Sequence, residues 1–561
     1  MSVEESSEQS AQRPVEEPRV RAPRRRYGRA VLRGLTGVLV VGLAGGTAWA
    51  VDLLPVEEAD GALAQELSVV PTSVGVVCPG PAQLADPDAE TDPAFDPTPV
   101  GTTTGLGGVV LAPATLTGTP VQLLDGGAAA TVTVTPQGSH AIARGPVTAP
   151  VTLAAAPAPD GTAVLGGAVV SATTAGDLRG LAGASCATPS AEQWLLGGTT
   201  ARGASTRLVV QNPSRTAAVV DVELWGPAGR VEAAGPTTMT VPAGGQSARL
   251  LESVAPDQRL LAVRVVARGA LVTSYLQVGA LDGLRPTGVD VASATVAATR
   301  QVVTGVTTTG PGAGPRLDVL VPAPADGSAG ATPTDPVPVT VTVLGTHGRV
   351  LVPGAERLDA VPGELASLDL GALEAGRYTV VLDAAVPFVA SATVVRPGTD
   401  GDDTAIVAGR AAPAPGTSVV ASPAGVRRTL VLAAVPDDLA AVPGAALGTG
   451  VPVDDDGTPV TVGTRAVEVD LVGADGSVAT TLPVDVPVGG TVSLGLDGRA
   501  PGVDVAAVVV RTIGDGPGVA WSLEASADAL DGTTDGLLTV LAPAAGDVVS
   551  RSVVVRPSQG F

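Results

Sequence analysis

The chain has 561 residues, too many for one hydrophobic core, so three or four domains are expected at roughly 150 residues each. Apolar residues make up 45% and aromatics only 2%, which leaves Val, Leu and Ala to fill the interior and favours strands. The net charge is −22 and lysine is absent; past residue 33 the 25 Arg face 50 acids, a balance that repels phosphate backbones and excludes nucleic acid as a partner.

In chain order, residues 1–30 are polar and Arg-rich without apolar periodicity, and are expected to form a disordered tail on the cytoplasmic side. Gly34–Val51 is an uncharged run of 18 residues, about 27 Å as a helix and close to a bilayer's hydrocarbon thickness. Residues 31–52 are therefore expected to be a transmembrane signal-anchor that contacts the lipid bilayer. Seven arginines from Arg19 to Arg33 precede the run and Asp52, Glu57, Glu58 and Asp60 follow it, which orients the bulk of the chain outward. Ala48-Trp49-Ala50 has the small-x-small pattern of a signal-peptidase site. Secretion after cleavage near Ala50 is thus the alternative to a single-pass cytoplasmic-membrane location.

A repeat follows. Val219–Trp225 leads into Gly226-x-x-Gly229, Val339–Leu344 into Gly345-x-x-Gly348, and Val467–Val472 into Gly473-x-x-Gly476. Each is an alternating strand with a tight glycine turn and a return strand, as a β-hairpin requires. A Val-Pro element follows each hairpin, at Val241-Pro242, Val361-Pro362 and Val486-Pro487, where proline suits a strand edge. Two apolar strands close each unit, and the turn glycines recur at 119 and 128 residues, the length of one β-sandwich. A fourth, fainter unit ends at Val169–Leu181.

The expectation is an all-β chain of tandem Ig-like or fibronectin-like β-sandwich modules at 53–190, 191–298, 299–402 and 403–561. A β-propeller-like ring is the alternative, because apolar strands at the seams (Gln193–Gly198, Gln301–Gly305, Ala405–Gly409) suit sharing between neighbours.

Cys78 and Cys186 are the only cysteines. A disulfide between them is expected, with two buried thiols as the alternative. His140 and His347 are the only histidines; they belong to different modules and stand in or beside turns. That argues against a metal site and against histidine-dependent catalysis. Trp194 is read as a seam residue, and Trp225 and Trp521 as core or seam residues. The acidic clusters Asp400-Gly401-Asp402-Asp403 and Asp454-Asp455-Asp456 are read as solvated loop acids, with calcium as the competing possibility. No catalytic residue, metal or cofactor is expected.

Cys78-Pro79-Gly80, Cys186, Trp194-Leu195-Leu196-Gly197-Gly198-Thr199, Leu208–Pro213 and Val241-Pro242-Ala243-Gly244 together resemble a family of actinobacterial membrane-anchored or secreted proteins, domain of unknown function 5719. The resemblance spans most of residues 70–561. It implies a cell-envelope location and carries no catalytic residues with it. The expected role is a non-catalytic envelope scaffold meeting a cell-wall glycan or protein partner. An accessory subunit of a membrane glycosyltransferase or exporter, and a wall-polysaccharide hydrolase using paired carboxylates, are the alternatives.

Overall fold

The computed structural model describes residues 65–69, 74–84, 102–111, 121–138, 140–155, 163–312, 314–323, 335–399, 401–446, 462–527, 536–545 and 551–555. Among them the only helical element is a single 3₁₀ turn, Leu251–Ser253, and the rest of the regular structure is strand. The all-β expectation is borne out. Gln65–Val69 pairs with Arg551–Val555 in a two-stranded sheet, and these two segments lie in or at the edge of a separate small unit. Val69–Arg551 forms the main unit.

The expected membrane anchor is corrected. No helix among the described residues is long and apolar enough to cross a membrane, and residues 31–52 lie outside the described residues. The single-pass location, with its extracellular bulk or its cleaved variant, is therefore without support.

The hairpins form where the glycine turns place them. Gly226 pairs with Gly229, Gly345 with Gly348, and Val472 with Val478 across the third turn. Arg357–Ala360, which ends one residue short of Val361-Pro362, pairs with Val337–Gly345 on the same sheet as that hairpin. The closing strands of the repeat that begins with the Gly345-x-x-Gly348 hairpin are one 21-residue strand, Gly376–Arg396. Its first half pairs with Ala298–Thr308 and Val337–Gly345, and its second half with Arg316–Leu320 and Asp403–Ala408. The strand thus passes from one sheet to the next.

Among the described residues of the main unit, seven sheets, each presenting two faces, pack in a cyclic order. Sheet 1 is Gly180–Ser185, Val164–Thr173, Thr103–Leu111, His140–Pro146 and Thr133–Gln137. Sheet 2 is Arg285–Ser293, Thr273–Asp282, Ala204–Asn212 and Gly245–Leu250, and sheet 3 is built on Glu192–Gly198, Leu261–Arg268 and Ala218–Gly226. Sheet 4 holds Asp403–Ala408, the second half of the long strand, Arg316–Leu320 and Leu365–Asp369; sheet 5 holds Ala298–Thr308, the first half and Val337–Gly345. Sheet 6 is Leu537–Leu541, Gly518–Ala527, Arg427–Val435 and Thr491–Gly495, and sheet 7 is built on Thr417–Ala421, Val505–Thr512, Thr464–Gly473 and Val478–Pro487.

Three of the shared cores are the sandwiches expected from the repeat: sheets 2 and 3 around Leu208 and Val263, 4 and 5 around Leu317 and Val380, 6 and 7 around Leu430 and Val469. The others are seams. Ala182 and Ala184 of sheet 1 meet Val289 and Val291 of sheet 2, and Trp194 and Trp225 of sheet 3 meet Leu320 and Val389 of sheet 4. Val302 and Val381 of sheet 5 meet Ala433 and Ala520 of sheet 6. Val109, Ile142 and Val164 of sheet 1 meet Val419 and Val509 of sheet 7, which closes the cycle.

The sandwiches are therefore not beads on a string but members of a propeller-like ring. A small sheet, Val74–Cys78, Val151–Ala155 and Val121–Leu123, covers the outer part of sheet 1. Cys78 and Cys186 form the expected disulfide, with Cα atoms 4.2 Å apart, and tie this sheet to the end of sheet 1.

Candidate functional site

Four inner strands, Gly180–Ser185, Arg285–Ser293, Asp403–Ala408 and Leu537–Leu541, pack against one another in that order and back to the first. Two carboxylates lie among them. Asp290 and Asp403 are each 2% exposed. Asp290 Oδ1 accepts the Gly183 N–H at 3.0 Å and the Thr539 hydroxyl at 3.0 Å, and its Oδ2 accepts the Ile406 N–H at 2.7 Å. One side chain of sheet 2 therefore holds sheets 1, 4 and 6. Asp403 Oδ2 accepts the Leu538 N–H at 2.6 Å. Burial pushes Asp290 up to about 8, its three amide donors opposing and the nearby Asp403 charge assisting. Burial likewise pushes Asp403 up to about 7, against the Leu538 amide and Arg179.

The packing there leaves no space for side chains. Gly288 has φ +103°, and a Cβ on it would run into the Thr404 amide and stand 2.8 Å from Asp403 Oδ1. A Cβ on Gly183 would lie 2.5 Å from the Thr539 side chain. Arg179, 4% exposed, donates to the Gly401 and Asp402 carbonyls, and Asp402 accepts from Arg285 at 2.9 Å.

The reading of this acidic cluster as solvated loop acids is corrected for Asp403. It begins an inner strand and is enclosed on all sides, whereas Asp402 makes an ion pair. Asp400 and the Asp454–Asp456 cluster lie outside the described residues. Groups of three or more His, Cys, Asp or Glu arranged to hold a metal ion do not occur among the described residues.

Glu524, on sheet 6, is a further buried carboxylate, and both of its oxygens have partners. It accepts two hydrogen bonds from Arg377, one from Arg396 and one from Thr307. Burial alone would raise its pKa, but the Arg377 guanidinium bonded to it brings it below the usual value.

His140 is half-buried near Asp470 and Arg511, and burial lowers its pKa. His347 is exposed in its two-residue turn, as its place between Gly345 and Gly348 requires. Trp194 and Trp225 stand with ring centroids 5.0 Å apart at the seam of sheets 3 and 4, with Arg264 over Trp194. Trp521 is buried between sheets 6 and 7.

A solvent-reaching cavity of about 120 Å³ lies between sheet 2 and the segment that follows Cys78. Its floor is Val209 and Tyr275, a directly paired couple on neighbouring strands, and the paired Arg207 and Gln277 form one wall. The segment after Cys78 forms the opposite wall and is laced to sheet 2. Gln277 donates to the Gln83 carbonyl at 2.5 Å and accepts the Gln83 N–H at 2.9 Å, and Arg207 donates to the Leu84 carbonyl at 3.2 Å.

Thr148–Pro150 and Gln246 complete the rim. Tyr275 is 9% exposed, and burial raises the pKa of its hydroxyl. Sequence reasoning identified Cys78-Pro79-Gly80 as a motif but not this cavity, because its other wall comes from strands more than a hundred residues away.

No curated protein and no solved structure matches the chain. The model of the family of unknown function DUF5719 matches residues 143–464, from the fourth strand of sheet 1 into sheet 7. That is more than half of the chain, and the chain belongs to this family.

Proposed function

We propose that this protein is a non-catalytic β-scaffold whose ring of packed sheets presents binding surfaces to a protein or glycan partner. The observation that carries this reading is the state of the converging carboxylates. Asp290 and Asp403 meet at 2% exposure each and are bound by backbone amides of neighbouring sheets. A glycoside hydrolase needs two carboxyl groups facing a cleft, about 5–10 Å apart, with room for a sugar and a water. Asp290 and Asp403 have neither access nor room, and the cavity beside Tyr275 is lined by no carboxylate. Glu524 is likewise occupied by three side chains.

Purified protein is expected to be retained by immobilised partner candidates, soluble polysaccharides and peptides, without releasing reducing ends or amines from them. Turnover of any such polymer that disappears in the Asp290→Asn or Glu524→Gln variant would overturn the proposal.

A further inference from the structure

We propose that the cavity between the Cys78–Leu84 segment and sheet 2 is a binding site for a small carboxylate of about five or six non-hydrogen atoms, held by the Arg207 guanidinium and the Tyr275 hydroxyl. Three observations lead there, independently of the scaffold reading.

The first is charge. The protein carries −22 overall, yet the lining of this cavity contains one cation, Arg207, and no acid. Among the described residues Arg207 makes no ion pair; its one hydrogen bond, to the Leu84 carbonyl, uses Nη1. A guanidinium with its remaining donors free and no carboxylate opposite it is matched by an oxyanion, which it binds in a planar two-point geometry.

The second is donor supply at the floor. Tyr275 is 9% exposed and its hydroxyl makes no hydrogen bond to another described residue, so its proton is left to donate. A carboxylate oxygen above the ring supplies the acceptor. Because Tyr275 pairs directly with Val209 and Arg207 with Gln277, the hydroxyl and the guanidinium project from the same face of sheet 2, two residues apart along each strand.

The third is size and rigidity. About 120 Å³ is close to the roughly 150 Å³ cavity that accommodates a benzene ring, six heavy atoms. The Val209 side chain offers an apolar floor for the ligand's short carbon chain. The opposite wall is fixed before any ligand arrives, by the Cys78–Cys186 disulfide at its root and the two-point Gln277–Gln83 contact along it. Preorganised walls spare the ligand the cost of ordering them.

The test is a titration of the full chain with butyrate at constant ionic strength, followed by calorimetry, with butyramide as the uncharged ligand of equal size. Saturable binding of butyrate, at least about tenfold weaker binding of butyramide, and a loss of about tenfold or more in both Arg207→Gln and Tyr275→Phe are expected, each substitution removing one strong hydrogen bond. Arg249→Gln, on the same sheet but away from the cavity, is expected to bind butyrate as the unaltered protein does. Thermal unfolding of each variant checks that it is folded, and Tyr275→Phe keeps the buried ring in case Arg207→Gln is not. Absence of saturation, equal binding of the amide, or unchanged binding in the folded Arg207 and Tyr275 variants overturns the proposal.

Discussion

Asp290 illustrates how much one side chain decides in this fold. It reaches from sheet 2 to donors on sheets 1, 4 and 6, and leaving two of those amides buried and unpaired costs about 1–3 kcal/mol each. Asp290→Ala is therefore expected to destabilise the protein by about 3–5 kcal/mol in denaturant titrations. The pH dependence has a definite sign. Both Asp290 and Asp403 have folded-state pKa values raised, to about 8 and about 7, above the ordinary 3.8. The folded chain thus holds protons that the unfolded chain has released. Their stabilising contribution is complete below about pH 4 and is lost as pH rises towards 8.

Asn at position 290 cannot titrate. It also sets an amide against one backbone donor, at a cost of about 1–3 kcal/mol. The unfolding midpoint of Asp290→Asn should accordingly lie below that of the unaltered protein at pH 4, with the gap narrowing and then reversing as pH rises towards 8. A gap constant across this range would show that Asp290 does not change its protonation there. Of these residues the sequence revealed only the acidity of the 400–403 stretch. An aspartate reads as a solvated loop residue until the strands that enclose it are known.

Among the elements, the hairpins were legible in detail and the long strand was not. Gly226-x-x-Gly229 and Gly345-x-x-Gly348 form two-residue turns, with the second glycine at positive φ, and Gly473-x-x-Gly476 forms a wider turn closed by Val472 and Val478. Gly376–Arg396 instead looks like two strands in sequence, since its exposed stretch around Asp383–Pro387 resembles a connection. Backbone hydrogen bonding to two different sheets makes it one.

The disulfide acts at this scale too. It closes 108 residues and fixes the small sheet over sheet 1, worth up to about 4–5 kcal/mol on the loop-entropy account. The Cys78→Ser/Cys186→Ser variant is expected to lose up to that amount of stability, seen as a lower denaturant midpoint. Dithiothreitol should shift the unaltered protein in the same direction and leave the variant unmoved.

For the whole molecule the decisive fact is that each sheet of the ring is covered on both faces. Val164–Thr173, Glu192–Gly198 and Val505–Thr512 are buried almost without alternation, whereas Ala218–Gly226 and Thr464–Gly473 alternate over their outer portions. An isolated sandwich has one wet face on every strand. Since neighbouring sandwiches share the seams through Val109, Val302, Trp194 and Ala182, no pair of sheets is autonomous. Calorimetry is expected to show one dominant transition in place of four. Removal of residues 417–545 should yield an aggregating product, because Val109, Ile142, Val302 and Val381 would lose their cover. Independent transitions, or a soluble folded product, would point to beads on a string.

The sequence by itself determined the local and compositional features: an all-β chain, the hairpins and their turns, the pairing of the only two cysteines, and tryptophans at the seams. These follow from side-chain periodicity, glycine geometry and scarcity, which act within a few residues or on the chain as a whole. The tertiary structure alone decided that the sandwiches close into a ring, that Asp403 is enclosed rather than solvated, and that Arg207 and Tyr275 face a cavity walled by the segment after Cys78. Each of these depends on contacts between residues far apart in the chain, where neither periodicity nor spacing says which face meets which.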